Sequence, residues 1–358
     1  MAEPSQPNDR GDFAIAIICA LPLEASAVIS LFDKFWGDSG NMFGQAPGDP
    51  NAYTMGVVGL HNVVLAYPPG MGKGSAAGVA ASIGSSFLRI ELALVVGICG
   101  GVPIKTGGEE IHLGDVIISD GIIEYDFGKQ SPDMFVRKNT TLDSLGRPNL
   151  KIRSLLNKLR EDWSKMRLRA NTSDYLVGLQ QKSDQYRYPG VEADKLFEPT
   201  YRHKHHDFPG CTICSKCEKK DDEVCRTALD FSCLELKCSE DKLVPRSRLP
   251  EAQETSSTQK PKIHYGLMAS GDTVMKSGEH RDAIATREGV IAFEMEGAGI
   301  WDKLPCVVIK GVCDYADSHK NKDWQNYAAA VAASCMKAFL KEWSPTDKLR
   351  QFIAPPSE

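Results

Sequence analysis

The stretch from Ile291 to Asp317, IAFEMEGAGIWDKLPCVVIKGVCDYAD, constrains the chain most, because it sets acidic residues at the exits of two apolar, strand-like runs. Ile291-Ala292-Phe293 reads as a short buried strand, and a period of two puts Glu294 and Glu296 on one face with Met295 opposite. A helix-like segment around Gly297 to Lys303 leads to a second strand, Cys306 to Lys310, which ends at Gly311 and leaves Asp314 in a loop. Open α/β sheets bind ligands beyond the carboxyl ends of their strands, so Glu296 and Asp314 are expected to face one small-molecule pocket. Spacing alone leaves a simpler reading open, in which Glu296 caps a helix and Asp314 opens a turn.

The remainder of the chain supplies more strands and helices for the same sheet. Phe13 to Cys19 is a continuous β-prone run, and Pro22 starts a helix with Leu23, Ala27, Val28 and Leu31 at helical spacing. Glu24 falls in the first turn of that helix, where the dipole favours a carboxylate. Tyr53–Val58 and Asn62–Tyr67 form a hairpin pattern, and Leu92–Val96 is a buried parallel-type strand followed by Gly97-Ile98-Cys99-Gly100-Gly101. The segment Pro69-Gly70-Met71-Gly72-Lys73-Gly74-Ser75 precedes an Ala-rich helix, yet it lacks the early glycine and the Ser or Thr after Gly-Lys that a Walker A loop requires. Asp115–Asp120 and Ile122–Phe127 continue the sheet, Lys151–Met166 and Tyr175–Gln185 read as amphipathic helices, and Trp324–Glu342 as an Ala-rich one.

Composition bounds the function classes. A chain of 358 residues with 42% hydrophobic content suffices for one large core, and a formal charge of -5 gives no nucleic-acid footprint. No run approaches a membrane span. Residues 1–12 are polar and lack a secretory core, so they are expected to be disordered. Cys19, Cys99, Cys306, Cys313 and Cys335 lie in apolar surroundings, which fits buried thiols in a reducing, cytoplasmic setting. The composition changes over 186–262, which reads as an insertion. There Cys211-x-x-Cys214-x-x-Cys217 follows His203, His205 and His206, with Cys225, Cys233 and Cys238 beyond. Thiolates beside imidazoles are the donors zinc prefers, so a structural zinc on Cys211, Cys214, Cys217 and His205 stands beside the alternative of unligated thiols. The return from Ser239 to Lys262 reads as flexible, and 344–358 as a short polar tail.

FEMEGAGI followed by VVIKGVCDYAD resembles the signature of the nucleoside phosphorylase and nucleosidase superfamily, with its methylthioadenosine nucleosidase branch nearest in pattern. The likeness extends from Phe13 to about Leu340 apart from the insertion, and the ending resembles a fungal form found at the front of immune-receptor-like proteins. It implies a three-layer α/β/α fold with a central mixed twisted sheet over residues 13–343, interrupted by the Cys/His-rich insertion. It further implies that Asp314 meets the purine N7, that Glu296 accepts from the ribose hydroxyls, and that Glu24 of ALPLE activates water. Met71 and Met295 would lie near the sugar, Phe293, Val274 and Met275 near the base, with Gly97 and Ile98 alongside and Glu294 either binding or supporting Glu296. Val95 and Ile98 stand where phosphorylases of this kind carry arginine and serine for phosphate, which favours water as nucleophile; Arg89, Arg137 and Arg147 remain as other anion ligands. The implied function is hydrolysis of a purine nucleoside, adenine preferred, with no required cofactor and a homodimer expected. Phosphorolysis and non-catalytic nucleoside or nucleotide sensing are the alternatives.

Overall fold

The computed structural model describes residues 4–37, 43–207, 210–219, 222–247 and 260–345. Its strands are β1 (Ile15–Ile18), β2 (Lys34–Phe35), β3 (Ala52–Val58), β4 (His61–Tyr67), β5 (Leu92–Gly101), β6 (Val116–Glu124), β7 (Gly128–Gln130), β8 (Phe135–Arg137), β9 (Ile263–Ser270), β10 (Val290–Glu294) and β11 (Cys306–Asp314). The helices are α1 (Pro22–Ile29), α2 (Lys73–Ser86), α3 (Leu150–Arg160), α4 (Asp162–Lys182), α5 (Arg226–Asp230), α6 (Gly278–Glu288), α7 (Gly297–Trp301) and α8 (Gln325–Glu342).

Nine strands form one mixed sheet in the order β10-β9-β6-β11-β5-β1-β4-β3-β2, and an additional β10–β5 pairing closes its first five strands into a ring. β5 is the hub. It runs parallel to β1 and β11 and antiparallel to β10, so Gly100 is in register with Phe293 on one side and Asp314 on the other. Strands buried on both faces read as continuous apolar runs, which explains why Ile15–Ile18 and Cys306–Ile309 show no alternation. Helix α8 lies on β5, β6 and β11 beside α1 and α4, whereas α2 packs against α7, giving the three-layer arrangement.

Several boundaries differ from the sequence expectation. β5 continues through its glycines to Gly101, and β11 runs on through Gly311 to Asp314, because pairing with neighbours satisfies both backbones. The two strands expected over 115–127 are one, with a register shift between Ser119 and Gly121. The helix expected over Lys151–Met166 breaks at Glu161, whose extended backbone lets its carboxylate accept from the Trp163 and Ser164 amides and start α4. At the amino end, where disorder is expected over 1–12, Arg10–Asp12 forms a 3₁₀ turn and Asn62 donates to the Ser5 carbonyl at 3.3 Å. Residues 248–259 of the expected flexible return and 346–358 of the tail lie outside the described residues. Among the described residues no helix is long and apolar enough to cross a membrane.

The closeness of α8 to the sheet depends on small residues. A Cβ added to Gly311 would lie 2.0 Å from the Ala328 carbonyl oxygen, which is helix backbone and cannot rotate away. Gly311→Ala is therefore expected to destabilise the fold by roughly 1–3 kcal/mol, as overpacking of a filled interior does. A denaturant midpoint unchanged from the parent would show that α8 is not held at this distance.

Candidate active site

The carboxyl ends of β5, β10 and β11 and the start of α1 surround a cavity of about 220 Å³. Every residue named from the sequence for catalysis or substrate contact lines it except Gly97: Glu24, Met71, Ile98, Val274, Met275, Phe293, Glu294, Met295, Glu296 and Asp314. Gly97 acts from behind. A Cβ there would meet Glu24 Oε1 at 2.0 Å, so only glycine leaves space for that carboxylate.

Glu24 is buried and held at both oxygens. The Ile98 amide donates to Oε1 at 2.8 Å and the Leu21 amide to Oε2 at 2.9 Å, which joins the first turn of α1 to β5. Burial raises its pKa; Lys310 opposes that rise and Glu296 adds to it.

Glu294 and Glu296 do not share a strand face as the period of two predicts, because β10 ends at Glu294 and the chain turns into α7. Glu294 bends back to accept from the Glu296 amide at 3.0 Å and the Gly297 amide at 2.9 and 3.0 Å, satisfying donors at a helix start. Burial raises its pKa too, against the pull of Lys310. Glu296 Oε2 accepts from Lys310 Nζ at 2.9 Å, with both side chains almost wholly buried.

Lys310 is the residue that the sequence reading missed. Burial disfavours its charge, but Glu296, Glu24 and Glu294 outweigh that effect and raise its pKa, so it is a fixed cation beneath the acids. The available signal was a lysine inside an otherwise apolar strand, a position that demands a buried counter-charge.

Asp314 ends β11 in a tight turn. Its Oδ1 accepts from the Ala316 amide at 2.8 Å, and Ala316 adopts a left-handed φ of 52°. Gly100 clears this turn, since a Cβ on it would be 2.9 Å from both Asp314 Oδ1 and Ala316 Cβ. Lys320 Nζ lies 3.0 Å from Asp314 Oδ2, a partner absent from the sequence expectation. Burial works against the Lys320 charge, yet Asp314 and Cys313 raise its pKa. The opposite wall is apolar: buried Phe293 packs edge-on to Tyr125 at 5.6 Å, while Val274 and Met71 stand half exposed at the mouth.

The arginines left open by the sequence lie elsewhere. Arg89 lines a separate cavity with His61 and Trp343, Arg147 borders another with Trp301, and Arg137 is bound to Glu288 at 2.8 Å. Lys73 of the glycine-rich segment is bound to Glu124 at 2.5 Å and Asp126 at 2.6 Å. Among the described lining residues Lys320 is the single basic side chain.

The insertion gathers two groups of metal-type donors away from this cavity: His205, Cys211, Cys214 and Cys225, and then His203, Cys233 and Cys238. Cys225 takes the place expected for Cys217, whose Sγ points to the Asp222 carbonyl at 3.9 Å. Regular C-x-x-C-x-x-C spacing did not reveal this, because Cys225 returns only after an intervening loop.

Residues 14–165 match the family described as the phosphorylase superfamily. A nucleotide-binding leucine-rich repeat (NLR)-like protein of Hyaloscypha variabilis is 31% identical over 340 residues, 93% of this chain and 30% of that relative. A death domain-containing ATP nucleosidase of Amphimedon queenslandica is 38% identical over 80 residues, 20% of this chain and 15% of the relative. The chain thus spans less than a third of the length of either. The solved S-adenosylhomocysteine nucleosidase of Streptococcus pyogenes, in complex with 5-methylthiotubericidin, shares the fold at a TM-score of 0.53 with 15% identity, covering 94% of this chain and 99% of that one. The chain thus shares the fold of a solved nucleosidase, and its residues 14–165 carry the match to the phosphorylase superfamily.

Proposed function

We propose that the chain hydrolyses the N-glycosidic bond of a purine nucleoside, adenine preferred, releasing the free base and the sugar. The observation that carries this reading is that Glu24, Glu296 and Asp314 meet in one cavity where, among the described residues, the single basic lining side chain already faces a carboxylate. An inorganic anion needs cations and donors, and a wall of Ile98, Phe293 and Val274 offers it few.

Breaking the bond leaves positive charge on the sugar and an electron pair on the base nitrogen. Asp314 meets the purine N7 and supplies its proton, with Lys320 beside the carboxylate that remains. Glu296, with one oxygen held by Lys310, accepts from the vicinal sugar hydroxyls through the other. Glu24 takes a proton from water as its oxygen attacks the sugar C1 carbon. Glu294 serves as a positioning residue, since its carboxylate fixes the turn carrying Glu296. Met71, Met295, Met275, Val274 and Phe293 enclose the nucleoside, and the preference for adenine rests on the family pattern.

Purified protein incubated with adenosine, inosine, guanosine and ATP is expected to release base, adenine fastest, at a rate unaffected by phosphate. Ribose 1-phosphate formed only when phosphate is present would replace hydrolysis with phosphorolysis. Asp314→Asn is expected to lower base release by about 100-fold or more, the usual worth of a positioned acid, while nucleoside affinity measured by calorimetry persists. Absence of turnover in both forms, with binding intact, would instead indicate a sensor.

The raised Glu24 pKa fixes a pH dependence. Its base form is gained as pH rises through that value and lost as pH falls through it. The acidic limb of kcat/KM is therefore expected above the ordinary glutamate value of about 4.3. Glu24→Gln should remove most activity; a limb retained at the same pH in that variant would assign it to another group.

A further inference from the structure

The cysteine-bearing part of the insertion, from His203 to Cys238, has too little apolar interior of its own to fold by burial. Tyr186 and Leu196 of the insertion join the main core, and the separate cluster around its cysteines consists of only Cys214, Ala228 and Leu236, with Cys211, Val224, Cys225 and Cys238 packed around them. Units with so little core usually need a covalent or metal crosslink. Six cysteines are present here as free thiols, and all but Cys217 converge with histidines.

The spacing of these donors is that of a metal cage. Zinc bonds of about 2.3 Å to sulfur and about 2.0 Å to nitrogen give a tetrahedron with edges of roughly 3.5–3.8 Å. His205 Nδ1 lies 3.7 Å from Cys214 Sγ and 3.4 Å from Cys225 Sγ, and with Cys211 Sγ these four atoms all lie within 4.8 Å of one another. His203 Nδ1 lies 3.8 Å from Cys233 Sγ and 3.7 Å from Cys238 Sγ. Its other nitrogen, Nε2, lies 2.8 Å from the Phe231 carbonyl oxygen, which can only accept. Nε2 therefore carries the hydrogen and Nδ1 presents its lone pair to the thiols, the arrangement found for metal-bound imidazoles.

We infer that the insertion is a two-centre zinc module, with His205, Cys211, Cys214 and Cys225 holding one ion and His203, Cys233 and Cys238 holding a second. The second centre is linked to the candidate active site through His319. His203 meets His319 edge-on with ring centroids 5.2 Å apart, and His319 is stacked on Phe197 at 4.2 Å and on Tyr201 at 5.3 Å. His319 directly precedes Lys320, the partner of Asp314, so the second ion braces the loop after β11. That consequence for the site rests on the proposed function, whereas the metal centres themselves do not.

The test is the zinc content of the full chain, produced with zinc and purified without chelator, together with thiol reactivity and zinc-edge X-ray absorption. Two zinc ions per chain are expected, with sulfur-rich shells and thiols that react fully only after a chelator removes the metal. Cys225→Ser and Cys238→Ser should each lose one ion, and Cys217→Ser should keep both. Unbound thiols or disulfides with no zinc would overturn the inference, one ion per chain would remove the second centre, and loss of an ion in Cys217→Ser would refute the ligand sets. Should the serine variants fail to fold, the wild-type zinc count and absorption spectrum still decide. The brace predicts faster amide hydrogen exchange over 315–320 in Cys238→Ser, and unchanged exchange would sever the link. Two zinc ions without any base release would overturn the proposed function alone.

Discussion

The site is arranged around a buried cation. Lys310 lies behind the acids that line the cavity, with Glu296 at 2.9 Å and with Glu24 and Glu294 close enough to raise its pKa. One ammonium cannot offset three ionised carboxylates in a dry interior, so the acids must differ in how their charge is met. Glu294 is met by backbone amides, Glu296 by the lysine, and Glu24 by two amides while burial raises its pKa. Acids with different environments can take different parts in one reaction.

This arrangement depends on β5. Its carboxyl-terminal segment pairs with β11 and β10 simultaneously, and its missing side chains admit what the neighbours carry: Gly97 clears Glu24, and Gly100 clears Asp314. The ring closure thus brings together acids from an early helix, a late strand end and a turn. The glycines serve packing more than flexibility, since neither adopts a left-handed backbone conformation.

Much of this was legible in the chain. The apolar runs identified the sheet, and the E-M-E and C-D segments identified acids that do line one cavity. Two features were hidden for physical reasons. Alternation fails once a strand ends: a period of two gives Glu294 and Glu296 a common face, whereas the turn after Glu294 gives the two carboxylates different partners. Spacing also cannot show which distant partner reaches a buried charge, so Lys310, Lys320 and Cys225 gained their significance only from folding. A lysine within Val307-Val308-Ile309-Lys310 was the one local hint.

The central claim is that water, activated beside Glu24, replaces the purine at the sugar carbon. Running the reaction in ¹⁸O-labelled water with phosphate present and analysing the sugar by mass spectrometry tests it most directly. The account predicts one labelled oxygen at C1 of the released sugar in the first product formed. An unlabelled C1 oxygen bearing phosphate would contradict it.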